Sequence, residues 1–538
     1  MNTSFPKQRQ RALFLWVAGI LLFLLSLWLG FFLCRKGIWM IDDTHLHSHS
    51  LWILKQYGLI GESPTPSLNG QWTAALWPLI LGLASEYVFA SFPDPYIVRH
   101  AVTFALLPVT VFGVFIMLRK AGFSRSTSLL GIASLLGIIR FGGHAFVNLR
   151  DFPHAASFVL VSLGLWLLLH RHRSVQEGYS PLTLFVLGSI STIPFLTRSP
   201  ELLHFCLILA VVTFYAVGNT KLSPPKRILH VLIPLFAGIF TIGLFSPMFW
   251  HTPVSGWLQP FRIFSRFPAW YWKFYMFGIP MEHTNLPWWY LFAWIPVIVQ
   301  PVTLLAAFSG WYLLIFRKSI PSCNTTQWNL RWGNIRFSLM TWLTIIIVSS
   351  WIAFFIIRPY DYGEDRHIHF LYPLFFLVGT LALDTLTVKT KYAILAIMMV
   401  WSTGAYIYWG KYSYVYKSPV ILNTKPDQFN GDYRGACITN AIDALQDHVP
   451  HGATVTIYNN PMEVLHQQRR PLHGTPRKRQ YHFRTSRPEA PPYAFIQKHP
   501  TLLKETNLLQ DVEEGRAQLL WAEFMPPGSP ACVIAWYP

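Results

Sequence analysis

Residues 12–34 read ALFLWVAGILLFLLSLWLGFFLC and hold no charged side chain. About 20 consecutive apolar residues suffice for a helix to cross a ~30 Å hydrocarbon core, so this segment alone is long enough to span a bilayer. It lacks the shorter apolar core and small-residue cleavage site of a signal peptide, and it reads as a retained first span.

The remainder of the chain extends the pattern. Of its residues 52% are hydrophobic, 16% aromatic and 12% charged, against about 25% charged in an ordinary soluble domain. Further apolar runs fall at 98–118, 126–143, 153–170, 181–197, 200–217, 229–249, 288–316, 337–357, 368–386 and 392–410. With the first they predict about eleven membrane spans. The expected fold is thus a polytopic α-helical membrane protein over residues 1–410.

Lysine and arginine placement orients it. With the N-terminus inside, one side of the membrane receives Lys7, Arg9 and Arg11, then Arg119, Lys120 and Arg125, then Arg171 and Arg173. Lys221, Lys226 and Arg227 follow on that side, then Arg317, Lys318, Arg331 and Arg336, and last Lys389 and Lys391. Basic loops mark the cytoplasmic face. This asymmetry accounts for much of the formal charge of +19 and removes the reason to invoke nucleic acid. The expected location is the cell (inner or plasma) membrane, with a cytoplasmic N-terminus.

The opposite loops, 35–97, 144–152, 250–287 and 358–367, are rich in Trp, Tyr, Pro and His and carry most of the carboxylates near the membrane. Segment 72–91 is apolar, but a span there would invert every basic loop that follows; an interfacial amphipathic helix is expected instead. From residue 411 the character changes. Residues 437–448 have helical spacing ended by Pro450 and Gly452, while 453–459 and the closing ACVIAWYP read as strands. Residues 411–538 are expected to form a soluble α/β-type domain on the non-cytoplasmic side. Cys437 and Cys532 either pair there or remain two thiols.

Five clusters could carry chemistry. Asp42 and Asp43 follow the first span; a carboxylate beside an apolar floor can act as a base. His45, His47 and His49 alternate, which on a strand would place all three on one face with metal-like spacing, and on a helix would leave His45 and His49 as an i, i+4 pair. Arg150 and Asp151 adjoin the fourth span, either as functional residues or as a plain interfacial ion pair, and Arg198 and Glu201 are spaced to pair on one helical turn. The loop 358–367 supplies Asp361, Glu364, Asp365, Arg366 and His367; a guanidinium such as that of Arg366 matches phosphate oxygens in bidentate fashion. Trp288 and Tyr290, among many aromatics, could form a platform for sugars or an interfacial belt.

In order along the chain, these segments resemble the family 39 branch of the GT-C glycosyltransferases, relatives of the dolichyl-phosphate-mannose–protein mannosyltransferases. Ile41-Asp42-Asp43-Thr44 resembles the family's Asp-Glu motif, and Asn148-Leu149-Arg150-Asp151-Phe152-Pro153 its N-P-K-D-x-P element. Phe195-Leu196-Thr197-Arg198 resembles its Thr-Lys or Thr-Arg element, and Asn285 to Tyr290 its L-P-W-x-Y segment. Tyr360-Asp361-Tyr362-Gly363, Arg366-His367 and Leu371-Tyr372-Pro373 resemble its Y-D-G-x-R-H…P run. The second acid here is Asp43 rather than Glu, and Arg150 stands where the family has lysine.

The resemblance implies inverting transfer of one sugar from a polyprenyl-phosphate donor to a hydroxyl of a lipid, glycan or protein acceptor. Asp42 or Asp43 would be the base. Arg366, Arg198 and Arg150 would hold the donor phosphate, and Asp151, His367, Trp288 and Tyr290 would orient substrate. The one cofactor considered is a divalent cation, which would fall to Asp42 and Asp151. The rival readings are a lipid-glycan flippase or transporter, which calls for internal repeats and broken spans, and an oligosaccharide ligase.

Overall fold

A computed structural model describes residues 24, 43–62, 74–92, 94–171, 178–198, 202–251, 273–277, 279–282, 286–316, 329–331, 334–336, 338–357, 368–419, 437–450, 453–457, 482–484, 493–497, 511–512, 514–525 and 529–536. The first span expected at 12–34 falls almost wholly outside these.

The chain is a multi-pass helical bundle. Two helices precede it, α1 (Asp43–Gln56) and α2 (Leu76–Leu83), the latter running on as a π-turn over Ala84–Val88. The bundle opens with α3 (Pro95–Lys120), α4 (Arg125–Leu136), α5 (Ile139–Val147) and α6 (Asp151–Arg171). It continues through α7 (Pro181–Ser191), α8 (Ile193–Thr197), α9 (Leu203–Gly218) and α10 (Pro224–Phe245). Then come α11 (Tyr290–Trp294), α12 (Pro301–Phe316), α13 (Leu339–Ile357), α14 (Tyr372–Leu377), α15 (Thr380–Asp384) and α16 (Val388–Trp409).

Among the described residues, α3, α6, α10, α13 and α16 are long and apolar enough to cross a membrane, and α4 with α5 makes a sixth candidate bent by 62°. The other expected spans are shorter or interrupted: Pro181–Thr197, Leu203–Gly218, Pro301–Phe316 and Tyr372–Asp384. The tempting segment at 72–91 forms only α2 and its π-turn. At about 1.5 Å per residue it reaches roughly 20 Å, short of a hydrocarbon core.

Lipid supplies no hydrophobic drive between helices, so close packing must hold them together. Gly310 of α12 meets the backbone of Val378 and Gly379, an approach that a Cβ would block. Trp342 of α13 is buried and donates to the Ser162 carbonyl at 2.8 Å. The interruptions are built in pairs. Where α4 ends and α5 begins, the Gly137 carbonyl accepts from the Gln300 amide at 3.0 Å, and Gln300 lies between α11 and α12. The two ends of the bundle differ in chemistry. At one, Asp384 of α15 accepts from Thr127 of α4 at 2.6 Å and from Lys391 of α16 at 3.3 Å. The other gathers the residues of interest.

Beyond α16 a 3-10 turn, Gly410–Val415, leads to α17 (Ile438–His448) and a five-stranded sheet. With β1 (Lys273–Met276) pairing β2 (Ile279–Glu282) and β3 (Asn329–Arg331) pairing β4 (Asn334–Arg336) as small hairpins, this sheet comprises β5 (Thr454–Ile457), β6 (His482–Arg484), β7 (Tyr493–Gln497), β8 (Gln518–Met525) and β9 (Ser529–Trp536). Its order is β6-β5-β7-β9-β8, parallel from β6 to β7 and antiparallel thereafter. Helix α17 and strands β5 and β9 fall where the sequence placed them, whereas β6, β7 and β8 were not read from it. Cys437 and Cys532 form a disulfide linking the start of α17 to β9, which resolves the pairing that the sequence left open.

Candidate active site

The connection between α5 and α6 is short because Asn148 organises it. Asn148 ends α5 with extended backbone, and its Oδ1 accepts from the amides of Arg150 at 3.1 Å and Asp151 at 2.9 Å. Those are donors that a helix start leaves without intrahelical partners. Asp151 follows as the first residue of α6, where a carboxylate meets the positive end of the helix dipole. The carboxylate is buried, and its Oδ2 accepts from Asn148 Nδ2 at 2.8 Å.

Arg198 arrives from the far side. The five-residue α8 begins Ile193-Pro194 and closes at Thr197; Arg198 then turns to extended backbone while its amide donates to the Pro194 carbonyl at 3.0 Å. Its Nη1 donates to Asp151 Oδ1 across 47 residues of sequence, as an ion pair whose side chains are 10% and 1% exposed. This corrects the pairing of Asp151 with Arg150. Asp151 takes Arg198 rather than its neighbour Arg150, because consecutive residues at a helix start diverge. Arg198 takes Asp151, while Glu201 lies outside the described residues.

A shell of histidines and hydroxyls surrounds the pair. His144, one turn before Asn148, has its Nδ1 at 2.9 Å from Asn148 Nδ2, and its ring packs edge-on to that of His369 at 4.5 Å. His154 stands 3.4 Å from the Thr197 hydroxyl, which Ser157 also contacts at 3.0 Å. Sequence reasoning passed over His144, His154 and His369. For His144 a signal was present, since it stands one helical turn before Asn148, which the motif at 148–153 already picks out.

The two leading helices close in on this end. Leu46 of α1 and Leu149 share one apolar cluster with Trp77, Leu81, Val98 and Val102. Leu76 packs on the cluster of Phe195 and Leu196, next to Arg198. The start of α1, where Asp43 is the first helical residue, therefore belongs to the same end as the ion pair. Asp42, Arg366 and His367 lie outside the described residues, and of Asp43 only the backbone is described. Arg150 is half-buried beside the pair. Trp288 is 72% exposed, and Tyr290 is enclosed in the main core with its ring 6.2 Å from that of Trp294.

A further buried cation went unnoticed in the sequence. Arg99 of α3 donates to the Ser85 hydroxyl at 3.0 Å and pairs with Glu86 at 3.3 Å.

Among the described residues, which leave out Asp42, the metal readings find no assembled donor set. His45, His47 and His49 lie on helix α1, so the single-face geometry of a strand does not form; His47 packs against Tyr96 at 5.2 Å. Asp151 gives one oxygen to a guanidinium and the other to an amide. Among the described residues no group of three or more His, Cys, Asp or Glu could hold an ion.

No protein family and no curated protein matches the chain. Solved structures similar to it include the following three. ArnT from Cupriavidus metallidurans in the apo state aligns at 10% identity over 96% of this chain and 98% of that one, with a TM-score of 0.49. The same protein bound to undecaprenyl phosphate aligns at 11% identity over 98% of each chain, with a TM-score of 0.45. Arabinofuranosyltransferase AftD from Mycobacteria aligns at 12% identity over 97% of this chain and 40% of its own, with a TM-score of 0.41. At such identities no residue role passes from one protein to another.

Proposed function

We propose that the protein is a membrane glycosyltransferase of the GT-C kind, moving a single sugar from a polyprenyl-phosphate donor to an acceptor hydroxyl. The observation that carries the reading is the buried Asp151–Arg198 pair, braced by Asn148, at the end of the bundle where α1 begins with Asp43. Segments whose motifs resemble the family's, 41–44, 148–153 and 195–198, are far apart in sequence. Leu46, just after the first of them, clusters with Leu149 of the second, and Leu76 of α2 packs on Phe195 of the third.

The chemistry then divides among this chain's residues. Asp42 or Asp43 takes the proton of the acceptor hydroxyl, whose oxygen forms a bond to the anomeric carbon with inversion. The bond from that carbon to the donor's phosphate oxygen breaks, and the polyprenyl phosphate leaves with the electron pair. Arg198, Arg150 and Arg366 stabilise the charge that develops on it. A planar guanidinium has five N–H donors, so Arg198 can face a carboxylate and a phosphate together. Asp151 fixes that guanidinium before substrate arrives, and this preorganisation lowers the cost of reaching the transition state.

The Cys437–Cys532 disulfide supports an exported site. Disulfides persist in oxidising compartments, and the same apolar cluster that holds both cysteines reaches Ile139 and Val147 of α5, close to Asn148.

A second reading, a lipid-glycan transporter, draws on the broken α4–α5 pair with its buried Arg140. One experiment separates the two. The purified protein in vesicles is given a panel of labelled polyprenyl-phosphate sugars with and without membrane lipid acceptors. Acceptor-dependent loss of sugar from the carrier, abolished by replacing Asp42 and Asp43 together with Asn while insertion is kept, supports the transferase. Full activity in that double variant overturns the base assignment, and movement of intact carrier across the vesicle without cleavage favours transport.

A further inference from the structure

Residues 410–418 lie across the end of α5. Arg140, the second residue of that helix, donates through Nε to the Tyr416 carbonyl at 2.8 Å, and its guanidinium carbon lies 4.9 Å from the centre of the Trp294 ring. Gly143 comes up against the backbone of the segment itself: a Cβ there would collide with Ser413 C and Tyr414 N. The Tyr414 ring packs edge-on to His144 at 5.9 Å. Beyond it the Ser418 amide donates to the Val297 carbonyl at 2.7 Å, in the break between α11 and α12. Tyr412, Tyr414, Val415 and Tyr416 are buried in the cluster that contains the disulfide and one face of α17.

The helix thus clasped is mechanically exposed. α5 has nine residues, joins α4 through a 62° bend and ends on Asn148. A tilt of about 5° at the Gly137–Ile138 break would carry Asn148, about 16 Å away along the helix, by roughly 1.4 Å. Asn148 both caps α6 and holds Asp151, so such a tilt would move the carboxylate on which Arg198 rests. A misplacement of about 1 Å can cost roughly 100-fold in rate.

We propose that residues 410–418 are a strap that positions the Asn148–Asp151–Arg198 relay through α5, with Gly143 and Arg140 as the positioning residues that seat and hold it. The proposal rests on the functional reading above. It makes the C-terminal sheet, through its disulfide and α17, the anchor of the strap.

The test uses the full-length protein in vesicles, with Cys34, Cys206 and Cys323 replaced by Ser. Ser413→Cys or Arg150→Cys is then added singly as a probe for maleimide labelling. Gly143→Ala is expected to speed labelling at both probes. In the chain without probes it should lower kcat about 10- to 100-fold with the donor KM unchanged. Arg140→Lys keeps the charge but not the planar fork; it should show the same split to a smaller degree, and it serves where Gly143→Ala does not fold. An unchanged kcat with faster labelling at Ser413→Cys overturns the proposal. So does a loss seen only as a lower yield of folded protein with normal kcat. If the unsubstituted protein transfers no sugar from any donor, the functional reading fails by itself. Labelling still decides the strap: opening at both probes supports it, and opening at Ser413→Cys alone, or at neither, overturns it.

Discussion

Asn148 Nδ2 stands 2.8 Å from Asp151 Oδ2, while the same side chain's oxygen receives the Asp151 amide at 2.9 Å. One asparagine therefore fixes both the backbone and the carboxylate of the residue that holds Arg198. Asn148→Ala removes a helix cap at a cost of about 1 kcal/mol. It should also lower transfer by about 10-fold or more, since the carboxylate loses its brace. Thermal unfolding and transfer rate, measured on the same preparation, check both; normal transfer in this variant would remove Asn148 from the relay.

Arg198→Ala takes the Arg198 guanidinium away from the buried Asp151 carboxylate and should cost about 3–5 kcal/mol. Asp151→Asn leaves the Arg198 guanidinium facing a neutral amide; it should cost less, because the amide oxygen can still accept from the guanidinium, which is the more exposed of the two groups. Combining Asp151→Asn with Arg198→Gln should cost less than the sum of the single changes, with a coupling of about 1 kcal/mol or more. Strict additivity in a double-mutant cycle would mean that the pair does not interact in the folded protein.

The disulfide offers a test of sidedness. A membrane-impermeant reductant added to intact cells should open Cys437–Cys532, and a change in mobility after thiol labelling reports it. Opening only after lysis would invert the proposed orientation. Loss of the bond should destabilise the sheet by about 2–5 kcal/mol.

The phenol of Tyr57 donates to the Leu244 carbonyl at 2.6 Å, tying the end of α1 to α10, and burial pushes it up to about 12. In the unfolded chain it ionises near the ordinary value of 10.0. Its contribution is thus fully present below about pH 10 and is lost as pH rises towards about 12, where the unfolded state has gained by ionising first. Tyr57→Phe should flatten that alkaline fall in melting temperature. Parallel curves for variant and parent would show that the latch contributes nothing.

The helical spans were legible because charge-free runs of bilayer length leave few alternatives. α3, α6, α10, α13 and α16 lie within or around the predicted runs. The breaks were not legible. Gly137 sits in an apolar run like any other, and only the partner backbone at Gln300 makes its interruption affordable. At the site, motif order picked out Asp151 and Arg198, but spacing along the chain assigned each a local partner. The true pairing spans 47 residues and depends on how α6 and α8 pack. Arg99 and His369 were hidden for the same reason, since their polar neighbours come from other helices.

The hydrogen bond from the Gln300 amide to the Gly137 carbonyl joins two interruptions in separate helices. Each leaves peptide groups that a bilayer cannot solvate, and each supplies what the other lacks. Repairing one helix into a continuous rod would orphan the backbone of the second. The two irregularities are therefore inherited together. A lineage that straightens one must straighten both, and residues 134–140 and 295–303 should vary in concert or stay as they are.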